Sequence, residues 1–533
     1  MPTDLRRQLA SLLVVRGSGH WGDGQRRYPR WELSNRELKR LLEAGVGGVI
    51  LLGGSAAELR LRCEALRRWA GQPLLLCADV EEGVGQRFEG ASWLVPPLAV
   101  GRLHQRDPDR ALALAERYGR CSGRQARLLG LNWVLGPVCD VNNNPANPVI
   151  NVRAWGEDPA TAGALAAAFV RGCQAEGVLA CAKHFPGHGD TSSDSHLELP
   201  LLPHSRERLE QVELPPFRAA IAAGVAAVMT AHLQLPSLDE QRPATLSAAV
   251  LQTLLRHDLG FDGLVVTDAL VMDAITGRYG AAEAAVLAFE AGADLILMPA
   301  DAEAALEGLV AAVGSGRISR ERLQASLERR QRALEACPGT DTAPIEALEQ
   351  LLLPQDEALS RELIEASLLV QGPQLGQPEG PGLTLIRCDS QLNCPWLPAM
   401  APALLRPAQA GYTAQLIDGR SPSPWSGSAE APLALERLPE GPVLLQLFVR
   451  GNPFRGSAGG DEPWPAVVQQ LQAAGRLAGL AVFGSPYLWE SLAPLLQRQI
   501  PAGYSPGQMP QAQAALLERL GLAAAPLEGG FTD

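Results

Sequence analysis

The strongest constraint on the fold is a repeat of short, unbroken apolar runs through the first 300 residues. They are SLLVVRG (11–17), VGGVILLGG (46–54), PLLLCADVE (73–81), LNWVLGPVCDV (131–141), VLACAKHF (178–185), AAVMTAHL (226–233), GLVVTDAL (263–270) and ADLILMP (293–299). The runs are continuous rather than alternating, as expected of strands covered on both faces in a parallel sheet. Helical stretches lie between several of them, including DPDRALALAERYGRCSGRQARLLG, DPATAGALAAAFVRGCQAEG and SAAVLQTLLRHDLG. Each opens near Asp, Ser or Pro and closes on Gly, which is cap chemistry. Eight such units predict a (β/α)8 barrel, with a doubly wound open sheet as the alternative. Polar residues favour the barrel, because they cluster just after the runs: Asp79 and Glu81, Asp140 and Asn142, Lys183 and His184, His232, and Asp268. In a barrel those positions share one mouth, where barrel enzymes carry their sites.

After about residue 300 the pattern changes. Residues 301–336 read as one long helical segment, CPGTDTAP interrupts it, and a helix at about 344–368 follows. New strands, GLTLIRCD, PVLLQLFV and LAGLAVFG, then appear among Pro- and Gly-rich stretches, which predicts a second, smaller α/β domain. The boundary is placed near residue 345, giving a catalytic barrel of 1–345 and a C-terminal domain of 346–533.

The formal net charge of −12 argues against a nucleic-acid partner, since phosphate binding needs a basic face. Nine dispersed cysteines with no CxxC pair do not form a disulfide framework. Cys77, Cys139 and Cys181 sit in apolar runs as small core side chains, which fits a reducing, cytoplasmic setting. The apolar run after Arg6 and Arg7 is stopped by Arg16 and reads as a short helix entering a first strand, not a leader peptide. No run reaches the ~20 apolar residues of a membrane span.

Three of the eight histidines fall in KHFPGHGDTSSDSHLELP, residues 183–200. His184 and His188 stand four apart, but Pro186 and Gly187 between them exclude a helical metal pair, so no metal and no cofactor are expected. PGHGD lacks the order of a phosphate-binding loop. Proton transfer fits better. Asp194 lies two residues before His196, and an adjacent carboxylate can orient an imidazole and stabilise its charged form. In isolation such a pair would read as solvated loop, but here it follows a strand-end Lys-His pair. Asp268 closes an apolar strand, which suits either a fixed nucleophile or a helix cap.

The same stretch closely resembles the signature of family 3 glycoside hydrolases, in the β-N-acetylglucosaminidase branch usually called NagZ-like. AGVGGVILLG, GPVCDVNNNPANPVINVRAWGEDP, VVTDALVM, and MTAHLQLPSLD followed by RPATLS resemble further family segments in the family's order, over roughly residues 5–335. The second domain resembles the family's α/β sandwich more weakly. The resemblance implies a retaining, two-step reaction with Asp268 as nucleophile, His196 as acid/base and Asp194 as its polarising partner. It implies that Asp79, Arg87, Arg153, Lys183 and His184 contact the sugar, the alternative for both arginines being structural salt bridges. Departures from the family pattern are Glu82 and Val84 in DVEEGVGQR, GGSAAE after the second strand, and Ala269 after Asp268. Glu82 and Val84 bear on the shape of the pocket.

The function expected is removal of non-reducing terminal β-linked N-acetylglucosamine from cell-wall muropeptides or related oligosaccharides, by a monomer or weak homo-oligomer with a saccharide as its only partner and no membrane association. A β-glucosidase, a phosphorylase using the same residues, and a saccharide-binding protein that has lost catalysis are the alternatives. The DSH element favours the first reading, because glucosidase relatives take their acid/base from elsewhere.

Overall fold

The computed structural model describes residues 2–191, 199–337, 345–378, 380–388, 397–418, 424–450 and 462–523. The chain forms two compact units, Met1–Ser360 and Arg361–Asp533.

Every apolar run of the first unit delivers a strand: β1 (Leu13–Ser18), β2 (Gly48–Leu52), β3 (Leu75–Ala78), β4 (Trp133–Val134), β5 (Leu179–Phe185), β6 (Ala227–Thr230), β7 (Leu264–Val266) and β8 (Ile296–Leu297). Each pairs in parallel with its sequence neighbours, in the order β7-β6-β5-β4-β3-β2-β1-β8. A parallel bridge between Val266 and Leu295 then joins β7 to β8 and closes the cylinder. Burial explains why the runs are unbroken. All seven residues of β5 and all four of β3 are buried, because side chains on one face fill the barrel and those on the other meet the helices. Cys77, Cys139 and Cys181 are fully buried, and eight cysteines among the described residues are free thiols.

The helices begin where cap chemistry dictates. Asp107 accepts from the Arg110 N–H at the start of Pro108–Leu128, and Asp158 from the Thr161 N–H at the start of Pro159–Gln174. The stretch after Ser247 is helical but wound more loosely, as a π-helix over Ala249–Asp258. The long segment at 301–336 is two helices, Ala302–Gly314 and Arg320–Glu335. Gly316 takes φ +80, in the left-handed region that ends a helix, and Ser319 caps the next. Similarly, the expected helix at about 344–368 is a 3-10 turn, Ile345–Gln350, followed by a helix Pro354–Ser367 that starts on its proline.

The second unit is built on six strands: β9 (Leu369–Gln371), β10 (Gly382–Arg387), β11 (Tyr412–Ile417), β12 (Val443–Val449), β13 (Leu477–Gly484) and β14 (Ala502–Ser505). Their order is β11-β10-β12-β13-β14-β9, parallel except for β9, which runs antiparallel to β14. Trp464, Leu445 and Val482 fill one side of this sheet, and Phe448 stacks on Phe483 at 4.5 Å on the other.

At the seam between β7 and β8, side chains supplement the backbone ladder. The buried Asp294 carboxylate accepts from the Val265 N–H at 2.9 Å, and the Thr267 hydroxyl accepts from the Leu297 N–H at 2.9 Å. Asp294 also receives Arg256 at 2.6 Å, the Ser326 hydroxyl at 2.6 Å and, at longer range, Arg322 and Arg329. One carboxylate therefore ties the seam to the helix Arg320–Glu335. Asp294→Ala would leave these arginines without their shared counter-charge, so a loss of about 3–5 kcal/mol of stability is expected, read as a lowered urea midpoint. A midpoint within error of wild type would mean that the seam closes without it.

Candidate active site

The site is built at the C-terminal ends of the barrel strands. Lys183, near the end of β5, is 1 % exposed and stands between two carboxylates. Its Nζ donates to Asp79 Oδ1 at 2.8 Å and lies 2.6 Å from Glu81 Oε1. Glu81 is also held by a two-pronged contact from Arg153, Nε to Oε2 at 2.7 Å and Nη2 to Oε1 at 2.8 Å. Arg153 in turn donates to the Val149 carbonyl at 3.0 Å. Arg87 donates from Nε to the Asp79 carbonyl at 2.8 Å, and both its Nη atoms lack a protein acceptor among the described residues.

The electrostatics follow from burial set against pairing. Burial opposes the charge on Glu81, but Arg153 and Lys183 outweigh it and hold the carboxyl well below the usual range. Burial likewise opposes the charge on Asp79, and Lys183 and Arg87 hold it low. Lys183 loses solvation, yet the two carboxylates raise it above the ordinary lysine value. At neutral pH all of these groups are ionised. Asp79 differs from Glu81 in one respect: its side chain is 38 % exposed whereas that of Glu81 is 3 % exposed. Asp79 can therefore accept hydrogen bonds from a ligand's hydroxyls, while Glu81 fixes Lys183 and Arg153 from beneath.

His184 follows Lys183 through a cis peptide bond. Its Nδ1 lies 2.7 Å from Asp140 Oδ2, and a carboxylate only accepts, so the ring carries its proton on Nδ1. Asp140 also accepts from the backbone N–H groups of His184 and His188. The glycines of PGHG are explained by close approach. A Cβ on Gly187, at φ +132, would meet the Glu213 side chain at 2.7 Å, and one on Gly189 would stand 1.8 Å from the Val141 carbonyl. Asn147 braces the same loop by donating to the carbonyls of His188 and Gly189.

Asp268 comes just after β7. Its N–H points to Thr230 Oγ1 at 3.4 Å, and its Oδ1 accepts from the Ala269 N–H at 2.7 Å. Thr230 Oγ1 is 2.8 Å from Thr245 Oγ1, Thr245 Oγ1 is 2.8 Å from His232 Nδ1, and His232 Nε2 meets the Ala269 carbonyl at 3.1 Å. This closed chain of buried polar groups frames the turn that presents Asp268. Lys183 lies near the end of β5, and Asp79 and Asp268 follow the ends of β3 and β7, so the three share the C-terminal mouth of the barrel. Asp194 and His196 lie outside the described residues.

The structure thus joins Asp79, Arg87, Arg153 and Lys183 in one hydrogen-bonded cluster with Glu81, while His184 is held separately by Asp140 and Asp268 by its own turn. The sequence reading gave no role to Glu81, Asp140, His232 or Thr245. Glu81, Asp140 and His232 carried the signal of a polar residue at a strand end, and Thr245 carried none outside its family segment. Glu82 and Val84 sit below the loop, 1 % and 0 % exposed, with Glu82 Oε2 accepting from Trp93 Nε1 at 3.0 Å. Among the described residues no group of three His, Cys, Asp or Glu side chains is placed to hold a metal ion, and no helix is long and apolar enough to cross a membrane.

Residues 4–333 match the glycosyl hydrolase family 3 N-terminal domain, and residues 377–521 match the bacterial glycosyl hydrolase family 3 C-terminal domain. The chain belongs to glycoside hydrolase family 3. A family 3 β-N-acetylglucosaminidase from Paenibacillus sp. str. FPU-7 superposes with a TM-score of 0.79 at 31% identity, over 97% of each chain. The β-hexosaminidase A of Pseudoalteromonas piscicida is 34% identical over 62% of this chain, a match spanning 60% of that relative's length. The β-hexosaminidase of Stenotrophomonas maltophilia strain K279a is 38% identical over 50% of this chain and 80% of its own. Family 3 membership accounts for the paired architecture of barrel and parallel-sheet unit.

His188 supplies a test of how the loop is held. Burial pushes its imidazole down to about 4, with the Asp140 charge opposing and His184 adding to the effect. In the unfolded chain it titrates near 6.5, so between those values the unfolded state binds a proton that the native state refuses. Stability must then fall as pH drops through that window, by up to roughly 3 kcal/mol. Urea midpoints measured from pH 7 to 4.5 should fall in wild type and stay flatter in His188→Asn. Parallel curves would place the acid sensitivity elsewhere.

Proposed function

We propose that this chain is a retaining β-N-acetylhexosaminidase that removes non-reducing terminal β-linked N-acetylglucosamine from cell-wall muropeptides or related oligosaccharides. The observation that carries the reading is the pairing of one strand-end carboxylate, Asp268, held by its own turn, with a fixed cluster of charged hydrogen-bonding groups on the same mouth. The cluster suits a neutral, hydroxyl-rich ring. Asp79 offers acceptor atoms, and Arg87, Lys183 and His184 offer polar contacts around it, while Arg153 acts largely by holding Glu81. The names of the relatives point the same way.

In this mechanism Asp268 attacks the anomeric carbon as His196 protonates the departing oxygen, giving a glycosyl-aspartate. His196, its charge stabilised by Asp194, then takes a proton from water, and the hydroxide displaces Asp268. A histidine suits both steps near neutral pH, because its ordinary pKa lies close to the working range. No cofactor takes part. The buried free thiols fit a reducing, cytoplasmic setting, and the enzyme acts as a monomer or weak homo-oligomer.

A panel of p-nitrophenyl β-glycosides, with and without phosphate, tests the reading. The β-N-acetylglucosaminide should be released fastest, without dependence on phosphate. Faster release from the β-glucoside, or release that requires phosphate, would replace it with one of its alternatives. Asp268→Asn should lower kcat by a factor on the order of 10⁴ or more, because an amide is a poor nucleophile. A 2-fluoro glycoside should label Asp268 in wild type, and labelling of another residue would remove the assignment. Glu81→Gln should cost about 10²-fold in kcat/KM by unseating Lys183 and Arg153. Activity equal to wild type would show that these cations hold their places unaided.

A further inference from the structure

The turn that follows β7 is tied to its two neighbouring strands in different ways. On the β8 side the ties are made by backbone: the N–H groups of Thr267 and Leu270 donate to the carbonyls of Leu295 and Leu297 at 3.1 and 3.0 Å. On the β6 side they are made by side chains. The Asp268 N–H points to Oγ1 of Thr230, the last residue of β6, and the Ala269 carbonyl meets Nε2 of His232, just beyond that strand. A carbonyl only accepts, so His232 carries a proton on Nε2 and donates to it.

Both of these side chains converge on one hydroxyl. Thr245 Oγ1 lies 2.8 Å from Thr230 Oγ1, 2.8 Å from His232 Nδ1 and 2.9 Å from the Ala231 carbonyl. Thr245 comes from the 3-10 turn Ala244–Leu246, which is fastened to the same segment by the Ala244 N–H on the Leu233 carbonyl at 2.8 Å. Thr230, His232 and Thr245 are all fully buried. A buried polar group that loses its partner cannot turn to water instead, so such a chain favours one arrangement.

Between the two ties on the β6 side lies the Ala269 N–H, which donates to Asp268 Oδ1 at 2.7 Å. Fixing the Asp268 N–H on one side of it and the Ala269 carbonyl on the other fixes its direction. A carboxylate with one oxygen held by an N–H keeps one orientation and presents its other oxygen. The hydrogen bonds that hold Lys183 and Arg153 are made by other residues.

We propose that His232 is a positioning residue for the nucleophile. Acting with Thr245 and Thr230, and through the Ala269 carbonyl, it keeps the Ala269 N–H on Oδ1. The other carboxylate oxygen then forms the bond to the anomeric carbon as the bond to the aglycone oxygen breaks and that oxygen takes its proton from the acid/base. The inference rests on the reading of Asp268 as the nucleophile of a retaining glycosidase, and adds which oxygen attacks and what holds it.

Two measurements separate the nucleophile from the groups that grip the sugar. The rate at which 5-fluoro-β-N-acetylglucosaminyl fluoride labels Asp268 follows the attack, and the inhibition constant of N-acetylglucosamine follows the grip. Thr245→Val, close to threonine in shape, should slow labelling about tenfold, and His232→Leu by a factor on the order of 10², with the inhibition constant unchanged in both. Thr245→Ser keeps the hydroxyl and should recover most of the rate. Labelling at the wild-type rate in both variants, or inhibition weakened in step with labelling, overturns the proposal. The structure of labelled wild type needs no variant, so it holds even if His232→Leu fails to fold. There the carbonyl oxygen of the ester should keep the Ala269 N–H at about 3 Å, and a sugar bonded to that oxygen overturns the proposal. Wild type that neither takes the label nor cleaves p-nitrophenyl β-N-acetylglucosaminide overturns the glycosidase reading and the proposal together. Labelled wild type with unaffected variants overturns the proposal alone.

Discussion

Everything at the barrel mouth depends on Lys183 being charged where almost no water reaches it. An isolated ammonium at 1 % exposure would be strongly disfavoured, and only the paired carboxylates of Asp79 and Glu81 make it tenable. Each of those carboxylates then needs its own support. Arg153 grips Glu81 by both oxygens, and the Arg87 guanidinium sits on the Asp79 carbonyl. The result is an array drawn from the ends of β3 and β5 and the turn at Asn151–Arg153, in which no member can shift alone. For the proposed function, which needs a sugar ring held in place over Asp268, such mutual restraint supplies the required positioning.

Much of this was legible in the sequence, and the reason is the barrel's geometry. A strand buried on both faces must be apolar throughout, so all eight strands announced themselves as runs. A polar residue that ends such a run opens on the barrel mouth, which is why Asp79, Lys183, His184 and Asp268 stood out by position, while the roles expected of them came from the family resemblance. The glycines of PGHG were equally readable once set against the Glu213 side chain and the Val141 carbonyl that exclude a Cβ there. In the second unit the three long strands were visible, whereas β9 has three residues and is mostly exposed, β14 has four, and β11 has polar and exposed positions along its length. Their patterns are too short or too mixed to separate from loop.

What the sequence did not convey was who holds whom. Glu81 looked like one more strand-end carboxylate, and nothing in its neighbours indicated that Arg153, 72 positions away, would close on it. The polar chain from Thr230 through Thr245 to His232 is likewise non-local, since Thr245 sits in a 3-10 turn with no periodic signal. The single long helix expected over 301–336 failed for a local reason instead: Gly316 adopts a conformation that no helix continues through, and Ser319 starts a new one. Glu82 and Val84, two departures from the family pattern, are both buried, and Glu82 accepts from the Trp93 indole.

The seam between β7 and β8 carries one more implication. Between β3 and β4 a side chain also enters the ladder, since Asn132 accepts from the Leu76 N–H at 2.8 Å and donates to the Leu74 carbonyl at 2.8 Å. At the seam, the Asp294 carboxylate and the Thr267 hydroxyl each receive an N–H that the short strands leave over. Closure of the cylinder is therefore written in hydrogen-bonding chemistry rather than in shape. A substitution at Asp294 or Thr267 therefore removes a hydrogen bond from the closing junction, and Thr267 is the residue immediately before Asp268.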